Sequence, residues 1–161
     1  MVKSKLFTII ILILIVINKL PKKTENIEFE TKNDIVASIE IPKINLKKEL
    51  YDINSEYNDV DKNLMIIGDM PSTDGKFILA GHSGEGEIAY FNELNHLQIN
   101  DQIYVYYNDK TYNYSIIEIY DIEKTGKLYL SKNENGIIIL ITCKIGTNNQ
   151  TVYKGILTDL K

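Results

Sequence analysis

Two side chains in this sequence are best suited to chemistry, Cys143 and His82. Cys143 is the only cysteine; it ends the apolar stretch Leu140-Ile-Thr-Cys143 and abuts the polar turn Lys144-Ile-Gly-Thr-Asn-Asn149. A lone cysteine is most often a small core hydrophobe. A strand end beside a loop instead lets a side chain meet solvent and substrate, and in a chain facing the outside of the cell an unpaired thiol is a liability unless it is used. His82 follows the apolar run Phe77–Ala80 and precedes Ser83-Gly84-Glu85-Gly86. If both strand ends share one rim, the imidazole can activate the thiol. An unperturbed thiol, with pKa about 8.5, is only a few per cent ionised at neutral pH, so the histidine must also stabilise the thiolate. The separation of sixty-one residues between the two leaves their contact open at this point. The second histidine, His96 in Asn92-Glu-Leu-Asn-His96, reads as a solvated residue on a helical stretch.

The elements that must position these groups are mostly strands. Ile35, Ala37, Ile39 and Ile41 alternate with Val36, Ser38 and Glu40, the period of a half-buried strand, which Pro42 ends. Extended structure resumes over Ile44–Leu50, and short apolar runs at Met65–Ile67 and Phe77–Ala80 flank a turn-rich segment ending at Gly75. Ile88, Phe91 and Leu94, with Tyr90 and Leu97, fit one face of a short helix. Gln102–Tyr107 and Thr111–Tyr120 are strands joined in a hairpin at Asn108–Lys110. Ile137–Ile141 is apolar throughout, as in a central strand covered on both faces, and Thr151–Leu157 is the last strand. Many short strands with one small helix predict an all-β, closed or nearly closed barrel. The eleven tyrosines suit such strands and imply no ligand.

Composition narrows the class further. A chain of 161 residues is the size of one domain, and 44% hydrophobic with 25% charged residues excludes wholesale disorder. One cysteine excludes an intramolecular disulfide and a cysteine-based zinc cluster. Residues 1–23 hold five lysines and no acid, leaving 13 lysines against 22 acids in the remainder, a net charge of −9. So acidic a body argues against nucleic acid as the main partner. No carboxylate cluster points to calcium, and Gly84-Glu-Gly86 lacks what a phosphate cradle needs, so no cofactor is expected.

The N-terminus points to a membrane. Between Lys5 and Lys19 lie thirteen uncharged, mostly Ile and Leu residues, and Val2–Leu20 gives nineteen positions if the flanking lysines snorkel. An uncleaved anchor over 1–20 is favoured over a cleaved signal peptide, because no small-residue cleavage site follows. Residues 21–34 are polar and unpatterned and read as a linker, leaving a catalytic domain at 35–161. Lysines flank the apolar run almost equally on both sides, so charge alone does not orient it.

Ala80-Gly-His-Ser83, Tyr90-Phe-Asn-Glu-Leu94, Asn100-Asp-Gln-Ile103 and Leu140-Ile-Thr-Cys143, in this order and at these spacings, resemble the sortases. The resemblance covers about residues 35–161. It implies an eight-stranded sortase barrel and a membrane-anchored cysteine transpeptidase with its catalytic domain outside the cell. Such an enzyme cleaves LPXTG-type sorting signals on surface proteins and transfers the acyl group to an amine of the cell wall or of another surface protein. On matching positions Cys143 would be the nucleophile and His82 the general acid and base. Sortases carry an arginine at the start of the last strand, and here the matching residue is Gln150; the sequence contains no arginine at all. A carboxamide can donate to an oxyanion but lacks the charge that roughly doubles such a bond. That departure keeps two alternatives open: a degenerate sortase-like module that binds peptide or wall precursors without turnover, and a different cysteine hydrolase or wall transpeptidase. Against the last, papain-like folds generally place Cys before His, the reverse of the order here.

Overall fold

The computed structural model describes residues 34–131 and 133–161, so the expected anchor at 1–20 and nearly all of the linker lie outside the described residues. Eight strands follow in chain order: β1 (Ile35–Ile41), β2 (Leu46–Tyr51), β3 (Met65–Ile66), β4 (Lys76–Ala80), β5 (Gln102–Tyr107), β6 (Lys110–Glu123), β7 (Ile137–Cys143) and β8 (Asn149–Leu160). They form one sheet in the order β2-β1-β5-β6-β8-β7-β4-β3, and its end strands β2 and β3 approach each other, so the sheet curls into a nearly closed barrel. Among the described residues the helical elements are two 3-10 turns, Pro42–Ile44 and Asn92–His96. Pro42 ends β1 as expected, by opening the first turn. The second is shorter than the amphipathic helix read from the sequence: Phe91, Leu94 and Leu97 are buried, whereas Ile88 is exposed.

Alternation sorts the side chains onto two faces. Inward residues, among them Ile39, Phe77, Leu79, Tyr114, Ile138, Leu140 and Tyr153, make the main core. Ile137, Ile139, Ile141 and Val152 point the other way and build a second cluster with Ile78, Ala80, Tyr120 and Ile122. Leu128 and Leu130, from the segment joining β6 to β7, pack against that cluster. β7 is therefore buried on both faces, as its unbroken apolar run implies. Every strand pairing is antiparallel except β4 with β7, which is parallel with Ala80 opposite Ile141.

Tyr114 is fully buried, its hydroxyl has no hydrogen-bond partner among the described residues, and burial pushes its ionisation well above the ordinary tyrosine value. Burying a hydroxyl without a partner costs stability that phenylalanine would not forfeit. Tyr114→Phe is expected to raise unfolding stability by about 1 kcal/mol, read from the urea midpoint at unchanged slope; a loss of stability would show that the hydroxyl is satisfied.

Candidate active site

The parallel β4–β7 pair sends both strands toward the same rim, and antiparallel β8 starts there. Past Ala80 the pairing continues: the Gly81 amide donates to the Ile141 carbonyl at 3.2 Å, the Thr142 hydroxyl to the Gly81 carbonyl at 2.7 Å, and the Ser83 hydroxyl to the Cys143 carbonyl. The register carried two residues beyond Ala80 sets His82 beside Cys143, while Gln150 lies directly across from Cys143 on β8. His82 thus lies two residues past the end of β4, next to the end of β7 that carries Cys143, with Gln150 across on β8. All three follow the parity of the second apolar cluster, with Ala80, Ile141 and Val152 one step behind them.

Local sequence fixes each position. Gly81 has no side chain because there is no room for one: a Cβ there would lie 2.6 Å from Leu64 and 2.8 Å from the Phe91 ring. The Phe91 amide donates to the His82 carbonyl at 2.9 Å, tying the 3-10 turn to the histidine's backbone. The His82 imidazole is partly exposed, and its Nε2 lies 2.9 Å from an Asp61 carboxylate oxygen. On the other side, the β7–β8 turn is closed by the Lys144 amide on the Asn149 carbonyl at 2.9 Å and the Thr147 hydroxyl on the Lys144 carbonyl at 3.0 Å. Gly146, at φ +76°, supplies the left-handed residue this turn requires. That closure is what brings Gln150 opposite Cys143.

Below the rim, Leu128 and Leu130 of the β6–β7 segment cover the second cluster. Two lysines fasten this segment. Lys76 Nζ donates to the Ser131 carbonyl at 2.6 Å, and Lys154, a buried lysine of β8, pairs with Glu134 of the segment and, at 3.6 Å, with Glu118 of β6. The Glu134 carboxylate holds the Lys154 ammonium above its ordinary value. Lys144 pairs with Asp121, and this ammonium together with the Thr151 hydroxyl holds the Asp121 carboxyl below its usual range. Both lysines are therefore engaged with carboxylates.

A cavity of about 330 Å³ opens on Cys143 from the side of the 3-10 turn and is lined by Asn92, Glu93, Asn95 and His96 as well as the thiol. Ser83 contributes to its wall, whereas His82 does not. His96, read from the sequence as a solvated residue, thus faces the thiol's own cavity. Nothing local in the sequence signals this, because the turn's approach to β7 is a tertiary event. Among the described residues no group of three or more His, Cys, Asp or Glu side chains is placed to hold a metal ion.

Comparison with known proteins places the chain's family and fold. Residues 39–156 match the sortase domain family, and the chain belongs to that family. It is similar to sortase A of Bacillus anthracis, 23% identical over 122 residues that cover 76% of this chain and 58% of the relative. The chain therefore spans less than two-thirds of that relative's length. Among solved structures, sortase C1 from Streptococcus agalactiae superposes with a TM-score of 0.68 at 26% identity, covering 80% of this chain and 69% of that one. A lid mutant of sortase A from Corynebacterium diphtheriae gives 0.67 at 24% identity, covering 79% and 72%. The fold is the eight-stranded sortase barrel. Members of the family are typically cysteine transpeptidases acting on sorting-signal substrates, generally as membrane-anchored surface enzymes.

The Lys154 latch has a measurable consequence. A raised lysine value means that its contribution to stability is present below the ordinary lysine range and is lost as pH rises through the raised value. Lys154→Met, which leaves Glu134 without its partner, is expected to speed amide exchange across residues 124–136 by about tenfold or more while β7 and β8 stay protected. Unaltered exchange in that segment would show that the ion pair does not hold it.

Proposed function

We propose that this protein is a sortase-type cysteine transpeptidase that cleaves an LPXTG-type sorting signal through a thioester on Cys143. It then passes the acyl group to an amine of the cell wall or of another surface protein. The observation that carries this reading is the convergence at one rim of Cys143, of Gln150 directly across from it on β8, and of the Gly81–Ser83 segment that hydrogen-bonds to the end of β7. An extended sorting peptide bound at this rim would bring its scissile carbonyl to the sulfur. The Cys143 thiolate attacks that carbonyl carbon, and His82 protonates the departing amine. With Nε2 engaged on Asp61, Nδ1 is the ring atom that serves the proton transfer. The carboxamide of Gln150, standing where the family has arginine, donates to the oxyanion. The apolar run over residues 1–20 anchors the chain, and residues 21–34 hold the domain off the outer membrane face.

A second reading draws on one specific feature. Gln150 carries no charge, and the neighbouring ammonium groups of Lys144 and Lys154 are already paired with Asp121 and Glu134. A degenerate module that holds sorting peptides without cleaving them would have this electrostatic character.

Incubating the protein with a panel of LPXTG-type peptides separates the two. The transpeptidase reading expects a mass-detectable acyl adduct on Cys143 that is absent in Cys143→Ala. It also expects Gln150→Ala to lower the acylation rate about 100-fold, the typical effect of losing one oxyanion donor. Peptides that bind but form no adduct would favour the binding module; peptides that neither bind nor react would remove both readings.

A further inference from the structure

The backbone around His82 is held on two sides, by the Gly81 amide on the Ile141 carbonyl and by the Phe91 amide on the His82 carbonyl, but neither bond fixes the ring. The group that reaches the ring is Asp61, whose carboxylate oxygen lies 2.9 Å from Nε2. Asp61 belongs to the chain between β2 and β3, and hydrogen bonds give that chain a defined shape. Asp59 organises the turn: its carboxylate accepts from the Asp61 amide at 2.9 Å, and its carbonyl accepts from the Lys62 and Asn63 amides at 2.9 and 2.7 Å. Lys62 Nζ points to Glu56, also at 2.9 Å, and so does not compete for Asp61. Two anchors fasten the turn beside His82. Three residues before Asp61, the Asn58 carboxamide pairs with the outer edge of β3, accepting from the Ile66 amide at 2.7 Å and donating to the Ile66 carbonyl at 3.1 Å. β3 pairs in turn with β4, the strand that leads into His82. Three residues after Asp61, Leu64 is fully buried and lies where a side chain at Gly81 would stand.

We infer that Asp61 is a positioning residue for His82, selecting the ring tautomer that acts as a base toward Cys143. The inference rests on the transpeptidase reading and adds one residue to its machinery. An ionised carboxylate accepts hydrogen bonds and cannot donate one, so the ring nitrogen facing it must carry the hydrogen. Nε2 is therefore the N–H, and Nδ1 keeps its lone pair. That lone pair takes the Cys143 proton as the sulfur attacks the scissile carbonyl carbon. The same Nδ1 then gives the proton to the departing amine nitrogen as the carbon–nitrogen bond breaks, leaving the thioester. Without an acceptor-only partner the ring can hold its hydrogen on Nδ1, where it has no lone pair to offer the thiol. The Asp61 side chain is 78% exposed, and a pair so placed adds little to stability, so its contribution is to the geometry of the ring.

Asp61→Asn and Asp61→Glu separate tautomer control from a merely structural contact. The carboxamide of asparagine can turn its NH2 group toward Nε2, whereas glutamate remains an acceptor only. Nitrogen–proton correlations of the imidazole are recorded on the full chain in detergent, at a pH where histidine rings are neutral, and His96→Gln identifies which set belongs to His82. The native protein and Asp61→Glu are expected to show the His82 hydrogen on Nε2, and Asp61→Asn a mixture of both tautomers. The single-turnover rate of Cys143 acylation by an LPXTG-type peptide is expected to fall about tenfold or more in Asp61→Asn, with peptide affinity unchanged, and to recover in Asp61→Glu. An unchanged His82 tautomer in Asp61→Asn, or an unchanged acylation rate, overturns the assignment. Absence of any thioester on the native enzyme instead removes the transpeptidase reading, and the tautomer comparison still decides whether Asp61 sets the ring.

Discussion

The single parallel pairing in an otherwise antiparallel sheet governs the rest of the molecule. Antiparallel neighbours run in opposite directions, so the C-terminal ends of adjacent strands emerge at opposite rims. Only because β4 and β7 run the same way do the residues following Phe77–Ala80 and Ile137–Ile141 meet at one edge. Parallel pairing requires a long crossover, here everything between Gly81 and Gly136, and that chain supplies both the 3-10 turn beside the thiol and the segment that covers the second cluster. Side chains extend the pairing beyond β4, Thr142 to Gly81 and Ser83 to Cys143, so the segments carrying His82 and Cys143 are tied together.

The charge arrangement around this rim follows from the absence of arginine. A chain whose cations are all lysine has point charges on flexible stems and no planar fork to grip an oxyanion or carboxylate. Lys154 and Lys144 stabilise the scaffold instead, one latching the β6–β7 segment and one bracing the end of β6. That leaves the position opposite Cys143 to a neutral carboxamide. The His82 imidazole, by contrast, has a carboxylate partner at 2.9 Å in Asp61, a loop residue twenty-one positions earlier.

Much of the barrel was legible where local pattern and burial coincide. The alternation in β1, the unbroken apolar run of β7 and the Asn-Asp turn after β5 all appear as read. Asn108 and Asp109 adopt the positive φ values of 50° and 57° that such a turn demands. β6 and β8 extend beyond their apolar centres because ladder hydrogen bonds, rather than side-chain burial, hold their polar ends. Ile88 misled because helical spacing counts an apolar residue without knowing whether a partner surface exists. At the site, the strand-end settings of His82 and Cys143 were readable, but the position of Gln150 came from family resemblance. The approach of Asp61 to His82 and of His96 to the Cys143 cavity was not readable at all, since both depend on loops folding back to a rim distant in sequence.

The central claim is that imidazole and sulfur act together at that shared edge, and alkylation tests it without any knowledge of the substrate. The rate of Cys143 modification by iodoacetamide, measured from pH 5 to 9 in the native protein and in His82→Gln, reads the thiolate directly. Coupling requires the native protein to react at least about tenfold faster than the variant near neutral pH, with the two converging at high pH where any thiol is ionised. Superimposable profiles would show that the sulfur ionises alone, and would contradict the pairing.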